Sequence, residues 1–272
     1  MAKQRILFVS QEIAPYLPAS REASLGRDLP QAMQQKKYEV RTFMPNFGAV
    51  NERRNQLHEV IRLSGVNIPI NDADHPLIIK VASMQPSRIQ VYFIDNDDYF
   101  QKLDSDVDGV GSNRPDNDER ALFFARGTLE TAGKLSWNPD FVHASGWMSG
   151  LVPLYLKKVF HNSPEFKKSK VVFSVLDGAP SEPIDPAIFN KLQEDGIPTR
   201  EINQLKNLEV NASLFNRLGI RYADAVVFNT STPDPELIKL AEESQTPYIV
   251  LDPDADNKEA YYEFYQKLKP SK

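Results

Sequence analysis

The run Ile6-Leu7-Phe8-Val9, followed by a helical pattern at residues 23–36 and an extended segment at 39–43, decides the fold. A continuous apolar run of this kind is typical of a strand that is buried on both faces. Pro30 predicts a kink in the helical segment or a position in its first turn. Strand, loop, helix and strand thus succeed one another within roughly 40 residues, which is the order of a doubly wound α/β sheet.

The same alternation of strand and helix continues along the chain. Residues 77–84 and 89–94 are rich in β-forming side chains and flank a turn at Pro86-Ser87, which predicts a β-hairpin insertion. Further strands are predicted at 141–143, 171–175, 225–228 and 248–251, and helices at 116–134, 205–218 and 258–268. The proline-rich segment 178–198 is interpreted as a long surface loop. We therefore predict one α/β domain over residues 1–272, with a mostly parallel Rossmann-like sheet on which the strand and helix at about 248–268 pack.

Composition excludes several classes of function. The net charge of −5 argues against a nucleic-acid partner, because phosphate contacts require clustered lysine and arginine. The chain has no cysteine, which removes disulfides, thiolate zinc sites and cysteine nucleophiles. The amino terminus lacks the apolar stretch of a signal peptide, and no segment approaches the ~18 apolar residues of a membrane helix. We expect a cytoplasmic protein without a membrane partner.

The ends of the predicted strands carry acids, one histidine and one tryptophan, which is a reasonable set for a ligand cleft. The loops contain neither G-x-G-x-x-G nor a Walker sequence, and no cofactor is predicted. Residues 104–109 match the first half of an EF-hand loop, but Pro115 stands where the bidentate glutamate is required. The four histidines have scattered spacings, so no metal site is predicted.

Five stretches of the chain carry recognisable motifs. They are the opening strand and loop at 6–17, the second strand with Met44-Pro45, the D-N-x-E-R helix start at Asp116, the segment 138–157 with His143 and Trp147, and the strand region 219–226. In this order they resemble the N-terminal half of the bacterial glycogen and starch synthases. The likeness spans roughly residues 5 to 231. It implies the acceptor-side half of a two-domain, GT-B-type glycosyltransferase that transfers glucose from ADP-glucose to an α-1,4-glucan.

The resemblance also suggests site residues. Asp116 matches a carboxylate of the family's active-site cleft and is predicted as the catalytic residue. Glu12, His143 and Trp147 match positions in or near the pocket. With Asp177, which follows the next strand, they are predicted to bind substrate.

The loop after the first strand departs from the family. Where the family has K-T-G-G-L, with a lysine and glycine amides that meet the donor phosphates, this chain has Pro18-Ala19-Ser20-Arg21-Glu22. Proline supplies neither a cation nor a backbone donor, and serine and arginine forfeit the close backbone approach of glycine. No donor-binding residue is therefore predicted, and ADP-glucose is a doubtful ligand. Arg21 could offer a substitute charge, but Glu22 works against an anion.

Three hypotheses follow. The chain is a non-catalytic module that binds an α-glucan or another oligosaccharide, an active transferase completed by a partner chain, or a structural protein with a vestigial cleft. A partner chain and a homo-oligomer are both open at this stage.

Overall fold

The computed structural model describes residues 3–102 and 109–268. Within that part, the strands are β1 Arg5–Ser10, β2 Glu39–Pro45, β3 His58–Glu59, β4 Val66–Ile70, β5 Ala73–Met84, β6 Ile89–Asp95, β7 Phe141–Ser145, β8 Lys170–Val175, β9 Ala225–Asn229 and β10 Tyr248–Leu251. The helices are α1 Arg21–Gln35, α2 Asn117–Lys134, α3 Val152–Lys158, α4 Ile188–Glu194, α5 Thr199–Leu205, α6 Leu214–Tyr222, α7 Pro235–Glu243 and α8 Lys258–Leu268. A π-helical turn covers Asp97–Gln101, and a 3₁₀ turn covers Trp147–Ser149.

The strands form one twisted sheet in the order β10-β9-β8-β7-β1-β2-β6-β5-β3, with β4 paired to β5. The run from β10 to β6 is parallel throughout. Helices α1 and α8 lie together on one face, while α2, α3 and α6 pack on the other. The predicted doubly wound, mostly parallel α/β fold is confirmed.

The apolar runs form strands because both faces of the parallel sheet are covered. Residues Ile6 to Val9 of β1 are at most 2% exposed, since helices pack above and below them. The chain leaves β1 toward β2 on one side and later returns to β7 on the other. This reversal opens a crevice at the carboxyl ends of β1 and β7, where ligands bind in open α/β sheets.

The predicted hairpin is present, but it extends the main sheet. Strands β5 and β6 pair antiparallel, with Ile79 opposite Ile94, around a turn that contains Pro86. Strand β6 also pairs in parallel with β2, so the hairpin continues the sheet outward toward its edge.

Two sequence predictions of local structure are wrong. The segment 178–198 contains α4, whose Ile188 and Leu192 are buried, so it is not wholly a surface loop. The helix predicted at 205–218 is divided into α5 and α6. The division has a local cause, because Asn211 Oδ1 accepts hydrogen bonds from Ser213 N at 3.0 Å and Ser213 Oγ at 2.8 Å, which stabilises a turn.

The carboxyl-terminal elements pack on the rest of the fold. Strand β10 pairs in parallel with β9, with Tyr248 opposite Val226. Helix α8 buries Tyr261 and Tyr265 completely, against the face that α1 also covers. None of the described helices combines the length and the apolar character needed to cross a membrane.

Candidate functional site

The crevice between β1 and β7 is closed by a glutamine. Gln11, which is only 7% exposed, accepts a hydrogen bond from the backbone of Met148 at 3.3 Å through Oε1. Gly146 follows β7 with a φ of 83° and faces the Gln11 side chain, which a Cβ at Gly146 would approach to 3.2 Å. The positive φ therefore favours glycine at this position, and a side chain there would also press on Gln11.

Glu12 is held against the start of α1. Ser20 is the N-cap of this helix, and its Oγ accepts from Ala23 N at 2.9 Å while it donates to Glu12 Oε2 at 2.8 Å. One turn later, Gly26 lies so close to the loop that an added Cβ would stand 2.2 Å from the Glu12 carbonyl oxygen. The first turns of α1 and the loop after β1 are thus packed backbone against backbone.

This close approach predicts the effect of a single methyl group. Gly26→Ala is expected to lower the free energy of unfolding by about 1–3 kcal/mol, because backbone atoms cannot move aside as a flexible side chain does. Chemical denaturation measures the change. The matched control is Gly133→Ala in α2, where an added Cβ meets nothing within 4 Å. That variant is expected to gain about 0.5–1 kcal/mol from reduced chain entropy, and equal behaviour of the two variants would contradict the packing described.

Arg21, the first residue of α1, joins three strand ends. Its guanidinium donates to Asp177 Oδ2 at 3.2 Å after β8 and to Ser231 Oγ at 2.7 Å after β9. It also lies 2.8 Å from Asp254 Oδ1, in the loop that follows β10. The only cation in the first turn of α1 is therefore already engaged by two carboxylates of the same chain.

Asp177 lies at the centre of this group. Its carboxylate accepts from Ser231 N at 3.0 Å, from Ser231 Oγ at 2.6 Å and from Thr230 Oγ1 at 2.5 Å. Although partial burial raises the pKa of Asp177, the hydrogen bonds from Ser231 and Thr230 and the charge of Arg21 outweigh it and hold the pKa below its ordinary value. Asp177 is an ionised structural acceptor that links β8 to β9.

Asp116 is the N-cap residue of α2. Its side chain makes no capping hydrogen bond and instead pairs with Arg114, with distances of 2.8 Å and 2.5 Å to the two carboxylate oxygens. The neighbouring Arg120 is fully buried and donates to the backbone oxygens of Tyr99 and Gly111 at 2.8 Å. The helix start that carries Asp116 is thereby fixed, and its catalytic role stays a prediction.

His143 lies in the core. It is 1% exposed, with Nε2 at 2.7 Å from Ser174 Oγ and Nδ1 in hydrogen-bond contact with Tyr265 of α8. Burial lowers its pKa from 6.5 to about 3, so the imidazole is neutral at physiological pH. Its substrate-binding role stays a prediction, and this placement among α8 tyrosines favours a packing role.

Trp147 is also enclosed. It begins the 3₁₀ turn after β7, and its ring stacks on Phe215 of α6 with ring centroids 5.8 Å apart. Only 2% of the residue is exposed. Of the predicted substrate-binding residues, Glu12 and Asp177 each bond to the start of α1, through Ser20 and Arg21 respectively. His143 packs against α8 on one face of the sheet, and Trp147 packs against α6 on the other.

A cavity of about 580 Å³ opens beside Arg21. Its walls come from the start of α1, the ends of β8 and β9, and the loop between β10 and α8; they include Ser20, Glu22, Asp28, Asn229 and Asp256. The loop between β10 and α8 was not assigned to the site from the sequence. The rule that ligands lie at the carboxyl ends of strands, applied to β10 as well, points to residues 252–256.

No group of acidic, histidine or cysteine side chains that could hold a metal ion occurs among residues 3–102 and 109–268. The EF-hand-like stretch singled out in the sequence, residues 104–109, lies outside the described residues except for Gly109. The polar side chains around the cavity beside Arg21 are carboxylates, amides, hydroxyls, one guanidinium and the ammonium group of Lys258.

Comparison with known proteins gives concordant matches. Residues 5–246 match the family described as the starch synthase catalytic domain. The chain is 34% identical over 244 residues to the glycogen synthase of Chlorobaculum tepidum, covering 86% of this chain and 48% of that protein. It is 33% identical over 235 residues to the glycogen synthase of Chlorobium limicola, covering 84% and 48%. The chain thus spans about half the length of the curated relatives it matches.

The fold comparison agrees. The catalytic domain of starch synthase IV from Arabidopsis thaliana, bound to ADP and acarbose, superposes with a TM-score of 0.70 at 15% sequence identity. The alignment covers 92% of this chain and 51% of that one. At this identity the match concerns the fold.

Proposed function

The chain belongs to the starch synthase catalytic domain family, and on that premise we propose that it is an α-glucan-binding synthase domain that does not transfer glucose from ADP-glucose by itself. The family resemblance drawn from the sequence is confirmed by the matches. A cytoplasmic location is part of the proposal.

The observation that carries the proposal is that Arg21 is already ion-paired within the chain. A diphosphate at the start of α1 would need a cation and exposed backbone donors there. The cation present is bound to Asp177 and Asp254, and the N-cap Ser20 bonds the helix's own Ala23. A negatively charged donor would have to displace two carboxylates, with Glu22 adjacent. A neutral glucan faces no such charge barrier.

Calorimetric titration with maltoheptaose and with ADP-glucose tests the proposal. We expect maltoheptaose to bind and to raise the melting temperature, since a ligand at 100 times its Kd stabilises the folded state by about 2.7 kcal/mol. ADP-glucose at the same concentrations is expected to leave the melting temperature unchanged. Micromolar binding of ADP-glucose would contradict the interpretation of Arg21, and absence of maltoheptaose binding would contradict the glucan-binding role.

The second candidate is an active transferase completed by another chain. It is favoured by the coverage of the relatives, because the matched region is about half of each glycogen synthase. Removal of electrostatic stabilisation costs on the order of 3–4 kcal/mol per donor group, so a second domain that supplies cations would restore turnover. Glucose transfer from ADP-glucose that appears only after addition of a partner chain, or only in a homo-oligomeric fraction, would support this candidate.

A further inference from the structure

A second cavity, of about 380 Å³, lies next to the one beside Arg21. Leu176 and Asp177, which follow β8, line both cavities. The other walls of the second cavity come from the loop after β9 and from the starts of α6 and α7. Its volume falls within the usual range for small-molecule sites, and the carboxyl ends of β8 and β9 are where ligands bind in open α/β sheets.

One polar side chain in the wall of the second cavity lacks a partner. Asn216, in the first turn of α6, lines this cavity and is only 7% exposed. Its side-chain amide makes no hydrogen bond to any of residues 3–102 and 109–268. Oδ1 is fully enclosed whereas Nδ2 is not, so the amide nitrogen is the polar atom that this side chain offers to the cavity. An unpaired buried amide destabilises a folded protein, and a bound molecule that accepts from Nδ2 would supply the missing partner.

The start of α6 adds further hydrogen-bond donors. Ser213 is the N-cap residue, but its side chain makes no capping hydrogen bond and instead donates to Asn211 Oδ1 at 2.8 Å. The first backbone N–H groups of an α-helix have no partner within the helix. Ser213 and Asn216 both line the second cavity, so the start of the helix forms part of its wall. The same turn is held in place by Trp147, whose ring stacks on Phe215.

The charges around the second cavity do not suit an anion. The described residues that line it include two carboxylates, Asp177 and Asp234, and no lysine or arginine. Both carboxylates are already engaged, because Asp177 accepts from Ser231 and Thr230 while Asp234 Oδ1 accepts from Glu236 N at 2.9 Å. A phosphate group would be repelled by these carboxylates, whereas a neutral ligand would not.

The remaining walls combine the hydroxyl groups of Ser213 and Thr232 with apolar side chains such as Leu176 and Leu237. A sugar ring, which has an apolar face and several hydroxyl groups, matches walls of this kind. We propose that the second cavity binds a glucose unit of the α-glucan, with Asn216 Nδ2 donating a hydrogen bond to a sugar oxygen. This inference rests on the glucan-binding role proposed above and adds the place at which the glucan binds and the side chain that recognises it.

Asn216→Leu tests the assignment, because leucine has nearly the shape of asparagine but no hydrogen-bonding side-chain atoms. We expect the affinity for maltoheptaose, measured by calorimetry, to fall about three- to tenfold, the effect of losing one hydrogen bond between neutral groups. The melting temperature is expected to rise, because the substitution removes an unpaired buried amide. A side chain that served only the fold would not show this combination. Asn216→Ala, which adds no atoms and so cannot crowd the cavity, is expected to weaken binding to a similar extent.

Thr128→Val in α2 is the matched control. Thr128 is fully buried, its Oγ1 has no hydrogen-bond partner within the described part of the chain, and it does not line the second cavity. The melting temperature of this variant is expected to rise as well, with an unchanged affinity for maltoheptaose. Equal affinities of the unmodified protein and both Asn216 variants, or an equal loss of affinity in Thr128→Val, would overturn the assignment and leave the glucan-binding role in place. Absence of maltoheptaose binding to the unmodified protein would overturn both.

Discussion

Lys191→Met is expected to lower the free energy of unfolding by about 3–5 kcal/mol, the usual result of breaking a buried ion pair from one side. Lys191 of α4 is 5% exposed, and its Nζ lies 2.6 Å from Asp118, 2.8 Å from Glu119 and 2.9 Å from Asp185. Asp118 and Glu119 belong to the first turn of α2, so this lysine joins α4 to the helix that Asp116 caps.

Lys191 and Asp118 each shift the pKa of the other. Burial by itself lowers the pKa of Lys191, but the hydrogen bonds that its ammonium group donates to the three carboxylates outweigh burial and raise the pKa. Burial raises the pKa of Asp118, and Lys191 opposes that rise. Without the lysine, the pKa of Asp118 rises further. A carboxyl with a raised folded-state pKa loses its contribution to stability as the pH rises through that pKa. The Lys191→Met substitution is therefore expected to lower the free energy of unfolding by more at pH 7 than at pH 5.

Urea denaturation at both pH values measures these effects. Lys239→Met in α7 is the matched control, because Lys239 is 72% exposed and 3.6 Å from Glu243; exposed pairs of this kind contribute about 0.3–0.5 kcal/mol. Adding Asp118→Asn to Lys191→Met is expected to recover part of the loss by removing a buried charge. A decrease in the free energy of unfolding of less than about 1 kcal/mol, equal at both pH values, would show that Lys191 does not neutralise its three carboxylate partners.

The sheet could be predicted from the sequence because its signals are local. The apolar run at β1, the turn at Pro86 and the boundaries of α8 each depend on neighbours within a few residues. The exact bounds of α8, Lys258–Leu268, agree with the predicted helix. The separation of α5 from α6 was missed, because the apolar spacing continues through 205–218 and the Asn211 turn is a finer signal.

The candidate site could be predicted only in part because its contacts are distant in sequence. Arg21 was recognised as a charge at the donor loop, but its partners Asp177 and Asp254 are 156 and 233 positions away. Lys191 lies in a segment interpreted as surface loop, and nothing near it in sequence indicates three carboxylate partners. Helix α7 was not predicted, although Asp234-Pro235 is a normal helix start.

The contacts of His143 are also distant in sequence, and they lead to the second prediction with a large expected effect. The family resemblance placed His143 in or near the pocket; in the structure, the strand that pairs it with Phe8 and Val172 directs its side chain toward α8. There its ring lies among Tyr261, Tyr265 and Ser174. The imidazole is thus buried in the neutral form, and its protonation is linked to unfolding.

We expect the free energy of unfolding to fall as the pH falls below about 6.5, by about 1.4 kcal/mol per pH unit from this residue. The sign follows from the lowered pKa of about 3 in the folded state: the unfolded chain binds the proton first, so acid favours unfolding until the folded state is protonated as well. Denaturation between pH 6.5 and 5 measures the slope where ordinary carboxylates, with pKa values near 4, hardly titrate.

The comparison with His143→Asn isolates the imidazole. That variant is expected to be less stable at every pH, because a smaller side chain leaves space among the tyrosines. Toward pH 5, however, its free energy of unfolding is expected to fall less steeply than that of the unmodified protein, because the contribution of His143 to the slope is missing. His161→Asn is the control, since His161 is exposed, and it is expected to retain the slope of the unmodified protein. Parallel curves for the unmodified protein and His143→Asn would mean that the imidazole binds a proton in the folded state, and hence that water reaches His143 behind α8.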